Sequence, residues 1–231
     1  MLTLDGVLIQ QDAFVLRADF VLETGTVAAV IGPSGAGKST LLNVISGFFA
    51  PVQGRVLWKG QDITDLPPAK RPVAVLFQDN NLFPHLTVAQ NVGLGIRPDL
   101  RLTFEDHRHV GQALARVGLE GLDGRKPATL SGGQQGRVAL ARILVQRRPL
   151  ILLDEPFAAL GPALKVEMLD LVAELAAELG ATLLMVSHDP QDARRIAPHV
   201  ILVADGIAMP PQPTEALLND PPPALAAYLG T

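Results

Sequence analysis

Cysteine is absent from this 231-residue chain. That excludes a disulfide framework and any thiolate metal site, and it fits a reducing compartment. No stretch approaches the roughly 18 consecutive apolar residues of a membrane-spanning helix, so any membrane role has to come through a partner. The opening Met-Leu-Thr-Leu-Asp lacks a basic segment followed by an apolar one, and no secretory leader is expected. Basic charge is not in excess: 19 Lys and Arg stand against 23 Asp and Glu, a formal net charge of −4. No nucleic-acid partner is therefore expected. Internal repeats and coiled-coil heptads are also missing.

What is present is apolar. Hydrophobic residues make up 48% of the chain and charged ones 18%, the balance of a folded globular protein, and the length allows one large domain or one domain with a sizeable insertion. Loose alternation through Leu2–Ile9 and Phe14–Leu22 predicts strands, as do the short apolar runs at Val27–Ile31, Arg55–Trp58 and Pro72–Phe77. From residue 78 to 147 strand signals vanish. Helices are predicted at Thr87–Gly93, Phe104–Gly118 and Ser131–Gln146, with Thr87, Thr103 and Ser131 as N-caps. Strands return at Leu150–Leu153, Thr182–Val186 and Val200–Val203, the first two separated by a helical pattern over Ala163–Leu179. Such alternation implies a parallel sheet with helices on its faces. The prolines of Met209–Pro213 and Pro221–Pro223 are expected to force turns.

The strongest chemical signal is Gly32-Pro33-Ser34-Gly35-Ala36-Gly37-Lys38-Ser39-Thr40, a phosphate-binding loop. A strand runs into it, and Leu41, Leu42, Val44 and Ile45 follow at helical spacing. Backbone N–H groups at a helix N-terminus attract anions, and glycine lets the main chain approach them closely. Lys38 is expected to reach the β- and γ-phosphates, and Ser39 to hold Mg²⁺.

Further on, the strand Leu150–Leu153 ends in Asp154-Glu155. Asp154 is placed to hold Mg²⁺, and Glu155 to act as general base toward water. Between the two motifs lies Leu130-Ser131-Gly132-Gly133-Gln134, a second predicted helix start with anion-binding character.

In that order, the three motifs resemble the ATP-binding cassette family, the motor subunits of ABC transporters, over essentially the whole chain. The resemblance implies an α/β fold: a P-loop NTPase core with an N-terminal antiparallel β subdomain and an inserted α-helical subdomain. Residues 1–77 and 148–231 would form the core and 78–147 the insertion. Gln78 looks like the family's loop glutamine, contacting Mg²⁺ and the attacking water. His188, after the strand Leu183–Val186, looks like the switch histidine that contacts the γ-phosphate. His85, His107, His109 and His199 lack such context and are expected at the surface.

The resemblance further implies a head-to-tail homodimer. ATP held by Lys38, Ser39 and Asp154 of one copy would be clamped by Ser131 and Gly133 of the other. Partners would be integral-membrane permease subunits and, indirectly, a periplasmic or extracellular substrate-binding protein. The chain would sit peripherally on the cytoplasmic face of the inner membrane. The stretch Arg71–Gly95, with Leu183–His188 and Val203–Gly206, is similar to the ATP-binding subunits of bacterial thiamine importers. Motors for ferric iron, sulfate or molybdate share much of this pattern.

Three positions depart from the family. Gly161 follows Ala158-Ala159-Leu160 where an aspartate is usual, Gln11 stands where an aromatic residue stacks on adenine, and Gly136 lies early in the signature helix. The first two leave open a low-turnover nucleotide sensor. A soluble cassette ATPase of DNA repair or translation is a further alternative, against which the single cassette and missing heptads count.

Overall fold

In the computed structural model, which describes residues 1–229, the two alternating N-terminal stretches form antiparallel strands β1 (Leu2–Gln11) and β2 (Phe14–Leu22). Strand β3 (Val27–Ile31) enters the glycine loop and α1 (Lys38–Ser46) leaves it. Strands β4 (Gln53–Trp58), β5 (Gln61–Asp62) and β6 (Val73–Leu76) follow. The chain then turns helical through α2 (Val88–Gly93), α3 (Phe104–Arg116) and α4 (Gly132–Gln146). Alternation resumes with β7 (Leu150–Asp154), α5 (Pro162–Leu179), β8 (Thr182–Val186), α6 (Pro190–Ile196) and β9 (His199–Ala204). Four short elements follow: β10 (Ile207–Ala208), β11 (Gln212–Pro213), α7 (Thr214–Asn219) and α8 (Pro223–Leu229).

The strands lie in the order β5-β4-β1-β2-β10-β9-β3-β8-β7-β6, with β11 paired to β9. The run from β9 to β6 is parallel, and the run from β5 to β2 is antiparallel. Strand β10 joins them, parallel to β2 and antiparallel to β9. Because side chains alternate along a strand, each parallel strand feeds two cores. Val30, Leu152 and Leu184 pack with α1 and the antiparallel strands. Ile31, Leu153 and Met185 pack with α4 and α5 on the other face. The α/β architecture is the one the motifs imply.

Local chemistry accounts for the helix ends. Thr87, Thr103 and Ser131 cap α2, α3 and α4, each in a reciprocal capping box with the residue three positions on. The C-terminus of α1 is closed from a distance. Buried Arg71 donates to the carbonyls of Val44 (2.7 Å) and Ile45 (2.9 Å), and its remaining donors reach Leu66 and Thr64. A guanidinium here satisfies orphan carbonyls and meets the negative end of the helix dipole.

The helix that begins with the signature packs on α5 through its glycines. A Cβ at Gly133 would lie 2.5 Å from Leu164 Cδ2, so a larger residue there would have to displace the Leu164 side chain. At Gly136 a Cβ would meet Met168 Cε at 3.4 Å, an ordinary contact. Gly136→Ala is therefore expected to stabilise the chain by about 1 kcal/mol through helix propensity. That corresponds to a melting temperature about 2–4 °C higher for a domain of this size. A lower melting temperature in a thermal scan would show that α4 and α5 are packed more tightly than described.

Two expectations need correction. The tail prolines are not confined to turns: Pro213 precedes α7 and Pro223 opens α8, using proline's preset φ at a helix start. His199 is not a surface residue. It begins β9 half-buried, opposite Ala28 on one side and Pro213 on the other, and its Nδ1 is buried without a hydrogen-bond partner.

Candidate functional site

The parallel register brings the motifs together. Val30 of β3 and Asp154 of β7 both pair with Val186 of β8. The glycine loop, Asp154-Glu155 and Ser187-His188 therefore leave the sheet side by side, at the carboxyl ends of the strands where ligands of such sheets bind. Gln78 leaves the next strand out, β6, whose Leu76 pairs with Leu153.

Close packing dictates two of the loop's glycines. A Cβ on Gly32 (φ 149°) would stand 2.0 Å from the carbonyl oxygen of Val203, and one on Gly37 (φ 102°) 2.4 Å from Cζ of Phe14. Gly37 is also the N-cap of α1 and offers no side-chain cap, in contrast to α2, α3 and α4. The first-turn N–H groups of α1 have no carbonyl one turn earlier in the helix, so this terminus is built to receive an anion. Lys38 is buried, its Nζ donating to the carbonyls of Gly32 (2.8 Å) and Pro33 (3.0 Å). Burial pushes its ammonium pKa down, against the charges of Glu155 and Asp154, which favour the protonated form.

Ser39 Oγ donates to Asp154 Oδ1 at 3.0 Å. Burial pushes the Asp154 carboxyl up, and the Ser39 hydrogen bond only partly offsets this. Folding thus favours protonated Asp154. Its contribution to stability is present below the unfolded-state pKa and lost as pH rises through the raised folded value, so at pH 7 the carboxylate is a net cost. Asp154→Asn is expected to raise the melting temperature at pH 7, with the gain shrinking below about pH 4 as the native residue protonates in both states. Calorimetry at the two pH values checks this; a variant less stable than wild type at pH 7 would contradict it.

Glu155 Oε1 lies 2.5 Å from His188 Nε2. Glu155 takes a left-handed φ of 47°, a conformation costing an ordinary residue of order 1–3 kcal/mol. Its N–H donates to Val186 of β8, which helps hold the turn and direct the carboxylate toward His188. Together Lys38, Ser39, Glu155 and His188 line a cleft of about 300 Å³, with Gln11 and Phe14 also in its lining.

Other candidates lie elsewhere. Ser131, Gly132 and Gln134 stand at the start of α4, where Ser131 Oγ accepts from Gln134 N and Gln134 Oε1 accepts from Ser131 N. Neither they nor Gly133 line the cleft of Lys38. Gln78 is exposed in the turn after β6, also outside that lining. Gly161 is the N-cap of α5, with φ −64° and nothing within 4 Å of a Cβ, so packing does not force the loss of an aspartate. Phe14, the aromatic residue nearest Gln11 in sequence, lines the cleft beside it. Tyr228, whose hydroxyl donates to the His188 carbonyl at 2.6 Å, carried no sequence signal.

A profile of the ABC transporter family matches residues 15–158. The chain belongs to that family. Among its relatives, the thiamine import ATP-binding protein of Cereibacter sphaeroides is 64% identical and that of a Ruegeria species 62%, each match covering all of both chains. The corresponding protein of a Chelativorans species is 53% identical over 93% of this chain and 88% of its own. Among solved structures, a dimeric post-hydrolysis state of an ATP-binding cassette bound to ADP and Pi is 30% identical. It has a TM-score of 0.78 and covers 93% of this chain and 99% of its own. A dimeric bacterial ABC transporter cassette scores 0.79 at the same identity and coverage.

Proposed function

We propose that this ABC transporter subunit is the ATP-hydrolysing motor of a bacterial importer for thiamine or its phosphates. The hydrolytic reading is carried by the Glu155–His188 pair at the rim of the phosphate loop. The cargo is supported by full-length identity to thiamine import proteins.

In this reading the triphosphate of ATP enters the loop Gly32–Thr40, against the α1 N-terminus and the Lys38 ammonium. Lys38 Nζ, held by the Gly32 and Pro33 carbonyls, would turn from them to the phosphate oxygens on binding. Mg²⁺ fits the neighbouring donors: Ser39 and Asp154 offer a hydroxyl and a carboxylate, the oxygen ligands that hard cations take. No cluster of three metal-ligating side chains occurs among the described residues, which suits a cation that keeps water and phosphate oxygens as its other ligands. When bound, Mg²⁺ neutralises charge on the phosphates. Glu155 takes a proton from water, and His188 holds the Glu155 carboxylate while facing the γ-phosphate. Gln78 joins the site from the end of β6.

In this reading Ser131, Gly132, Gly133 and Gln134 close the site from a second, head-to-tail copy; within one chain they do not line the Lys38 cleft, and the similar solved cassettes are dimeric. Phe48, Phe49, Val52 and Phe83 are exposed, and Phe48 packs edge-on against Phe77 just before Gln78. This apolar surface would receive the permease. No helix among the described residues is long and apolar enough to cross a membrane, in keeping with a peripheral subunit on the cytoplasmic face of the inner membrane. There it would draw indirectly on a substrate-binding protein outside.

The test is uptake by proteoliposomes carrying the complex with its permease. ATP-dependent thiamine accumulation is expected, and none with Lys38→Ala. Uptake of ferric iron, sulfate or molybdate but not thiamine would overturn the cargo assignment.

A further inference from the structure

His188 is held from two sides by residues outside the proposed chemistry. On one side, Tyr228 of α8 donates its hydroxyl to the His188 carbonyl at 2.6 Å. Its ring packs on the core beside fully buried Leu225, so the hydroxyl is anchored. Burial, with the negative charges of Glu155 and Asp189 nearby, pushes the Tyr228 pKa up, and the group remains a donor.

On the other side, the residues flanking His188 are tied to α5 and α6. Ser187 Oγ accepts from Asp189 N at 3.1 Å and donates to the buried Asp192 carboxylate. Lys165 Nζ bridges Asp189 Oδ2 (3.0 Å) and Asp192 Oδ1 (2.7 Å). Lys165 is the fourth residue of α5, its N–H donating to the carbonyl of Gly161 at 2.9 Å. A cavity of about 160 Å³ lies between Glu155–Ala158 and the histidine loop, with Lys165 in its wall.

We propose that Tyr228 and Lys165 are positioning residues for ATP hydrolysis. Together they fix the main chain of His188 so that its ring meets Glu155, and Lys165 ties that loop to the segment entering α5. The inference rests on the reading of Glu155 and His188 as the hydrolytic pair. Misplacing a catalytic group by about 1 Å can cost a hundredfold in rate, whereas losing one exposed hydrogen bond costs little stability. The two roles therefore separate in experiment.

The test is steady-state ATP hydrolysis with kcat and KM resolved, alongside thermal melting. Tyr228→Phe keeps the ring and removes one oxygen. It is expected to lower kcat about three- to tenfold, with KM and melting temperature unchanged. Lys165→Met is expected to lower kcat at least as much, and Lys165→Arg to restore most of it. Because Lys165→Met leaves buried Asp192 without its cation and can fail to fold, the double variant Lys165→Met with Asp192→Asn is measured too; it is expected to fold yet stay slow.

The effect of Tyr228→Phe should vanish when His188 is already alanine. If His188→Ala hydrolyses ATP at the wild-type rate, the reading of the pair fails. If His188→Ala is inactive or slow while Tyr228→Phe and the folded Lys165 variants keep wild-type kcat, the pair stands and this proposal is overturned.

Discussion

Replacing Glu155 by glutamine is expected to cut ATP turnover by about 10²–10⁴-fold, the range of a lost general base, while ATP affinity changes less than about twofold. The geometry motivates both halves. Glu155 Oε1 lies 2.5 Å from His188 Nε2 and lines the cleft with Lys38, whereas the proposed phosphate grip is that of the loop and the α1 N-terminus. Glutamine preserves the size and hydrogen bonding of the side chain and removes its capacity to take a proton. Single-turnover hydrolysis together with nucleotide titration separates the two effects. Equal losses in rate and affinity would show that Glu155 serves binding and is not the base.

Gly32→Ala should destabilise the fold by at least about 3 kcal/mol, lowering the melting temperature by about 6–12 °C, and should abolish ATP binding. The new Cβ would lie 2.0 Å from the Val203 carbonyl oxygen. That oxygen cannot withdraw easily, because β9 is paired to β3 along Ala28–Ile31. Gly35→Ala provides the contrast. Gly35 also has a positive φ, 77°, but nothing lies within 4 Å of its Cβ position, so only the left-handed conformation is penalised, by about 1–2 kcal/mol. Thermal melts of the two variants decide the matter, and equal destabilisation would mean that backbone conformation and not the approach to β9 governs the loop.

These two glycines illustrate what sequence can convey. The phosphate loop and Asp154-Glu155 were legible because their chemistry needs particular residue types at short, fixed spacing. His188 was legible only through its order after those motifs. The left-handed turn that aims Glu155 was not, since φ 47° at a glutamate has no compositional signature. Contacts made far along the chain were hidden as well. Arg71 closes α1 from another element, and Tyr228 reaches His188 from α8. The short helices α6 to α8 carry too few turns for apolar periodicity to stand out, and the prolines at Pro213 and Pro223 read as turns where they stand at helix starts. Gly136 is costly as a helix residue, and the ordinary contact its Cβ would make with Met168 of α5 gives it no structural explanation.

The central claim is that one chain holds half of an ATP site and a second copy supplies Ser131–Gln134. Light scattering on Glu155→Gln with Mg²⁺ and ATP tests this most directly. Expected is a shift from the 24.5 kDa monomer to twice that mass on adding ATP, reversed by ADP and blocked by Ser131→Arg. A Glu155→Gln chain that binds ATP yet remains at the monomer mass across the accessible concentration range would contradict it.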